Sequence, residues 1–282
     1  TPPTRSVGRK LTSGEGVRTS PMNQSERRLY LIEALLAERP DGKNIQVPAD
    51  ADGQRRLLRA LMNVRAPEPL APEVLAVQDD YLKQRLIERG GATDVDALTF
   101  RDRIAVWRGD ITLLAADAIV NAANDQMLGC FVPGHGCIDN AIHTYAGMQL
   151  RDACAQLMDA QGHAEPTGRV KVTPAYNLPS RHVFHTVGPI VPSHNPGPRE
   201  ELLLRRCYES CLAEASKRGP GSIAFCCIST GEFHFPNEKA AEIAVATVKE
   251  FLAQNKTSVE KVIFNVFKDR DREIYEELLG EK

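Results

Sequence analysis

No stretch of this sequence approaches the roughly 18–20 consecutive apolar residues that a membrane-spanning helix needs, so a membrane partner is not expected. An excess of charge of either sign is also missing. With 35 Lys+Arg against 37 Asp+Glu, the formal net charge is −2. Such a balance gives no general electrostatic footprint for nucleic acid. It leaves room for a small phosphate-bearing ligand, which needs only local donors. The polar segment Thr1–Ser20 lacks the apolar core of a secretory signal. Cysteine numbers seven, an odd count, which argues against a disulfide framework. A cytoplasmic protein is therefore expected, with thiols free for metal binding or catalysis. No G-K-[ST] run occurs, which excludes a Walker A phosphate loop.

What remains is ordinary globular material, 42% hydrophobic and 26% charged over 282 residues. Residues 1–21 are rich in Thr, Ser, Gly, Arg and Pro and read as a disordered tail. Residues 22–100 read as a helical extension that packs on the rest of the chain. Leu29, Ile32, Leu35 and Leu36 recur at helical spacing, with Ser25 a candidate cap. Leu57, Leu58, Leu61 and Met62 form a second stripe. A Pro-rich break follows at Arg65–Pro72, then a third helix over Val74–Arg89, closed by Gly90 and Gly91. After Phe100 the period changes. Ile104–Val106, Ala118–Val120, Val170–Val172, His182–Val187, Ile223–Ile228 and Val262–Val266 read as short strands. Helical stretches at 138–161, 199–217, 237–254 and 271–279 separate several of them. The alternation predicts a three-layer α/β domain over 101–282, with ligands beyond the carboxyl ends of the strands.

Several constellations fall at such strand ends. Cys130, His135 and Cys137 have the spacing C-x4-H-x-C in a loop made pliable by Gly134 and Gly136. Two thiols and an imidazole suit zinc, and three local ligands leave one position open, as in catalytic sites. Two unrelated thiols in a Gly-rich loop would look the same. A fourth ligand from His143 or His234 would instead make the site structural. Asn121 and Asn124 follow a buried strand, where Asn can hold ligand hydroxyls or simply build a turn. Asp139 opens a helix and can serve as a base or as an N-cap. Ser229, Thr230 and Gly231 lead from a strand towards a helix start near Pro236, a geometry that suits a diphosphate. Asp110 can accept from an exocyclic amine. Phe267 can stack on a base or fill the core. The pairs Cys207/Cys211 and Cys226/Cys227 read as core.

Taken in order, GDIT, IVNAAN, a Gly-containing loop running into IDNAIH, HTVGP, ISTGEFHFP and VIFNVF resemble the macrodomain family of ADP-ribose-binding modules. The resemblance spans about 101–282. It implies a three-layer α/β/α fold with a mixed, roughly six-stranded sheet. FVPGHGCID stands where MacroD-type hydrolases carry an all-Gly run, and is similar to the zinc-containing microbial branch, which also has a helical N-terminal extension. The resemblance implies one Zn2+ per chain, held by Cys130, His135 and Cys137. It implies that Asp110 and Ile111 bind at the adenine end, with Phe267 beside the base. The loop from Ser229 to Phe235 would wrap the diphosphate, with Ser229, Thr230, Gly231, Glu232 and Phe233 as binding residues. Asn121 and Asn124 would face the distal ribose, with Asn124 and Asp139 as catalytic-site residues. His234 stands where MacroD-type loops have Gly. The implied activity is zinc-dependent removal of mono-ADP-ribose from acidic side chains of proteins. A non-catalytic ADP-ribose reader and an O-acetyl-ADP-ribose deacetylase are the alternatives. The expected partners are ADP-ribose and mono-ADP-ribosylated proteins, and a monomer is expected.

Overall fold

The computed structural model describes residues 21–219, 221–254 and 256–280; nearly all of the tail expected over residues 1–21 lies outside them. Three helices come first. Helix α1 (Gln24–Ala37) is capped by Asn23, not by Ser25. The Asn23 side chain accepts from the Glu26 N–H, and the Glu26 carboxylate accepts from the Asn23 N–H, a reciprocal cap. Helix α2 (Ala51–Val64) is capped by Asp50, which accepts from Gly53 N–H at 2.7 Å. Helix α3 (Pro72–Glu88) starts with proline in its first turn, where the missing N–H costs nothing. Leu31, Ile32, Leu35, Leu58, Leu61, Met62, Tyr81 and Leu82 bury one another, and Met148 of the following domain joins them.

The rest of the described chain runs β1 (Thr93–Asp94), β2 (Ile104–Arg108), β3 (Leu114–Ala115), β4 (Ala118–Ala123), α4 (Ile138–Ala146), α5 (Gln149–Gln161), β5 (Val170–Pro174), β6 (His182–Val187), α6 (Pro198–Arg218), β7 (Ser222–Phe225), α7 (Asn237–Gln254), β8 (Lys261–Val266) and α8 (Asp269–Leu278). The main sheet has six strands in the order β2-β8-β7-β4-β6-β5, all parallel except β5, which runs antiparallel to β6. Strands β1 and β3 form a separate short parallel pair. Strands β4, β6, β7 and β8 are buried along almost their whole length, as a parallel sheet covered on both faces requires. The covering is helical: α4 lies on β4, α5 on β5, α6 on β5 and β6, and α8 on β2 and β8.

Two expectations are corrected. The helical stretch 138–161 is two helices, because Gly147 takes φ 106°, a conformation strongly disfavoured for residues with a Cβ, between α4 and α5. Strand β7 ends at Phe225, so Cys226 and Cys227 lie in the irregular segment beyond it, and Cys227, expected in the core, is only partly buried. Among the described residues, no helix is long and apolar enough to cross a membrane.

Candidate active site

From β4 the chain passes to β5 and β6 on one side of the sheet, while β7 and β8 lie on the other. Ligand clefts form where the winding of a parallel sheet reverses in this way. A cleft of about 800 Å³ opens there, at the carboxyl ends of the central strands. That volume lies in the range of small-molecule and cofactor sites. Asp110, Ile111, Asn124, Cys130, His135, Cys137, Asp139, Ser229, Thr230, Gly231, Glu232, Phe233 and Phe267 all line it.

At one end, Asp110 follows β2. Its Oδ1 accepts from the backbone N–H and the hydroxyl of Thr112, at 2.9 and 2.6 Å. Its Oδ2 takes Arg89 Nη2 at 2.5 Å. The Arg89 guanidinium also lies 3.4 Å from the centre of the Tyr145 ring. Asp110 is thus a fixed acceptor whose side chain keeps 38% of its exposure. Phe267, just after β8, is 73% exposed and stands at the cleft wall, so it is not a core residue.

In the middle, residues 229–235 make a tight loop. Phe235 N–H donates to Ser229 O at 2.9 Å, and His234 N–H to Gly231 O at 3.1 Å. Ser229 and His234 sit at φ 65° and 59°, a left-handed conformation that disfavours side chains. Among the described residues, the N–H groups of Gly231, Glu232 and Phe233 have no internal acceptor. Gly188 lies against this loop so closely that a Cβ would come within 2.0 Å of Ser229 Oγ.

At the far end lies the Cys130–Cys137 loop. The ligand atoms of Cys130, His135 and Cys137 are all within 4.8 Å of one another, and each residue is half-buried. Cys130 Sγ is 3.5 Å from His135 Nδ1, and His135 Nε2 is 3.5 Å from Glu232 Oε1. Burial pushes the Cys137 thiol up to about 12, against the pull of the Asn140 N–H. A bound cation would offset that penalty, so the donor set and its setting fit a soft divalent metal. His143 and His234 do not complete the triad. His143 belongs instead to a second, buried group with Cys154 and His185, which also has the donor types to hold a metal.

Asp139 lies beside the loop and is 5% exposed. It does not cap its helix; Cys137 does, with its Sγ accepting from Asn140 N–H at 3.4 Å. Burial pushes the Asp139 carboxyl up to about 6, although Asn121 and Arg151 pull it down. Its Oδ1 accepts from Asn121 Nδ2 at 2.8 Å and lies 3.5 Å from His143 Nε2. Asn121 is the one expected contact residue that does not line the cleft. It is fully buried and donates to Asp139 and towards His185 Nδ1, 3.2 Å away. Its place in a strand covered on both faces directs it to the layer behind the site. Asn124 lines the cleft but also builds its own turn, with Nδ2 donating to Gly129 O and Oδ1 accepting from Gln126 N–H.

The sequence reading missed the cleft residues that come from the extension and from helix interiors. Arg59 of α2 and Tyr145 of α4 line the cleft, and Arg89 braces Asp110 from just beyond α3. One signal was available: Arg59 and Asn63, four residues apart on α2, are polar residues among the leucines of an amphipathic helix.

Comparison with known proteins agrees with this architecture. A family model described as the Macro domain matches residues 120–244. A protein of Treponema medium called protein-ADP-ribose hydrolase is 52% identical over 263 residues, covering 92% of this chain and 100% of its own length. A Staphylococcus aureus protein of the same name is 45% identical over 250 residues, covering 88% of this chain and 93% of its own. Among solved structures, the Trypanosoma brucei macrodomain in complex with ADP-ribose superposes with TM-score 0.60 at 31% identity, over 78% of this chain and 95% of that one. The Oceanobacillus iheyensis macrodomain with ADP gives 0.57 at 37% identity, over 65% and 93%. With this fold, this cleft and these relatives, the chain belongs to the macrodomain family.

Proposed function

We propose that this chain is a protein-ADP-ribose hydrolase that uses zinc and removes mono-ADP-ribose from acidic side chains. The observation that carries the reading is a single cleft lined by three chemistries. These are a braced carboxylate, unpaired backbone amides, and a half-exposed Cys/His triad beside a buried carboxylate. The hydrolase name borne by relatives aligned over nearly their whole length supports the same reading.

Asp110, fixed by Arg89 and Thr112, presents an acceptor edge to the exocyclic amine of adenine, and Phe267 offers a ring to the base. The free N–H groups of Gly231, Glu232 and Phe233 take the diphosphate oxygens. These contacts lie away from the bond broken and hold the distal ribose in place for reaction. Asp139, pinned by Asn121, accepts a proton from a ribose hydroxyl or an attacking water, with Asn124 lining the wall nearby. Zinc held by Cys130, His135 and Cys137 would supply Lewis-acid polarisation at this end of the cleft.

The test compares zinc-loaded and chelator-stripped protein on a substrate mono-ADP-ribosylated at Asp or Glu. Release of ADP-ribose that vanishes on stripping and returns with zinc is expected. Equal release by the stripped protein would refute the metal requirement. No release, on a substrate that another hydrolase clears, would make the protein a reader.

A further inference from the structure

The loop carrying Cys130, His135 and Cys137 has no regular secondary structure, and its Gly134 sits at φ 64° with open space around it. A loop of that kind does not hold three ligand atoms together unaided. Most of its fixing bonds come from side chains elsewhere. Asn63 of α2 is 2% exposed; its Oδ1 accepts from Gly134 N–H at 2.9 Å, and its Nδ2 donates to Thr144 Oγ1 at 3.0 Å. Arg59, one turn earlier, donates from Nη2 to His135 O at 3.2 Å and to Asn140 Oδ1 at 2.8 Å. Asn140, fully buried in α4, donates from Nδ2 to Val132 O at 3.0 Å and to Cys130 O at 3.4 Å. Its own N–H reaches Cys137 Sγ at 3.4 Å.

Cys130 and His135 are therefore held through their carbonyls by the side chains of Asn140 and Arg59, and Cys137 through its sulfur by the Asn140 N–H. A guanidinium is not a metal ligand, and the two amides already point at loop atoms and at one another's neighbours. We propose that Arg59, Asn63 and Asn140 are positioning residues that hold the Cys130–Cys137 loop in its metal-binding arrangement. Helix α2 of the N-terminal extension is thereby a working part of the metal site. This rests on the reading of the triad as a metal site. A three-ligand site has one anchor fewer than a closed one, so it gains more from a loop arranged before the ion arrives.

The test uses the full chain and reads zinc affinity by competition with a chromophoric chelator. The visible spectrum of the Co2+-loaded protein reports the geometry, and the affinity for ADP, which lacks the distal ribose, reports the rest of the cleft. Asn63→Ala and Arg59→Ala should each weaken zinc binding about 10–100-fold, the usual effect of losing a group that orients a ligand. Both should alter the Co2+ spectrum, and Asn63→Ala, whose side chain does not line the cleft, should leave ADP binding nearly unchanged. If Asn63→Ala does not fold, Arg59→Ala, at a half-buried position, carries the test alone. Parent-level zinc affinity with an unaltered Co2+ spectrum in the folded variants would overturn the positioning role only. Parallel loss of zinc and ADP binding in Asn63→Ala would also overturn it, since that marks general disruption. A parent chain that binds no zinc would refute the metal site itself, and this proposal with it.

Discussion

Two Cys/His triads meet around Asp139, and they are built in opposite ways. Cys130, His135 and Cys137 stand on a loop, half-buried, at the wall of the cleft. His143, Cys154 and His185 come from α4, α5 and β6 and are buried. In the second set, His185 Nε2 is 2.9 Å from Thr173 Oγ1 and 3.8 Å from Cys154 Sγ, while its Nδ1 faces Asn121. Burial pushes His185 down to about 3 and His143 well below its usual range, so both rings are neutral. Donor type alone does not separate the two triads. Access and prior engagement do: the buried ring is already part of a hydrogen-bond chain that runs through Asn121 to Asp139. On the function proposed above, the outer triad holds the metal and the inner one steadies the residue beside it.

The contrast can be broken most sharply by removing one thiol from each set. Cys137→Ala should lower ADP-ribose release about 100-fold or more and abolish stoichiometric zinc, whereas Cys154→Ala should keep its zinc. Zinc loss in the Cys154 variant, by metal analysis, would reverse the assignment. Asp139→Asn should cost turnover roughly 10²–10⁴-fold with ADP affinity retained, as expected for a lost proton acceptor. Comparable kcat in the variant would remove Asp139 from the chemistry. His185→Leu should leave Thr173 and Asn121 short of a partner and destabilise the fold by about 1–3 kcal/mol in urea unfolding, with zinc content unaltered. The last contrast is in pH dependence. Below about pH 6.5 the unfolded chain protonates this imidazole, while the folded one resists until about 3. Its contribution is therefore complete above 6.5 and is lost as pH falls towards 3, with a slope of up to about 1.4 kcal/mol per pH unit. The His185→Leu protein should show a shallower acid limb; an identical limb would mean that the ring protonates freely in the fold.

The sheet was legible because strands buried on both faces must be apolar runs, and each of the expected runs contributes a strand of the main sheet. The break at Gly147 was less visible. It depends on Asn177, whose N–H and side-chain amide both reach Ala146 O, a contact across 31 residues that no local pattern records. At the site, the named binding, catalytic and metal candidates all line the cleft except Asn121, while Phe235 of the expected diphosphate loop is buried. Period-2 alternation could not place Asn121, because both faces of β4 are covered. Arg59 and Arg89 were illegible for a different reason. Nothing in a helical stripe tells which neighbour its polar members will meet, and theirs lie 21 to 81 residues away in the chain.

Met148 has a consequence beyond packing. It stands between α4 and α5, its N–H donates to Gln78 Oε1 of α3 at 2.8 Å, and its side chain lies in the cluster made by the three leading helices. The hinge between two helices of the sheet domain is thus set inside the hydrophobic centre of the extension. Neither unit can melt without exposing this residue and freeing its amide. Calorimetry should therefore register a single cooperative transition, and trimming the chain back to the sheet would not yield a minimal module but one with an open seam.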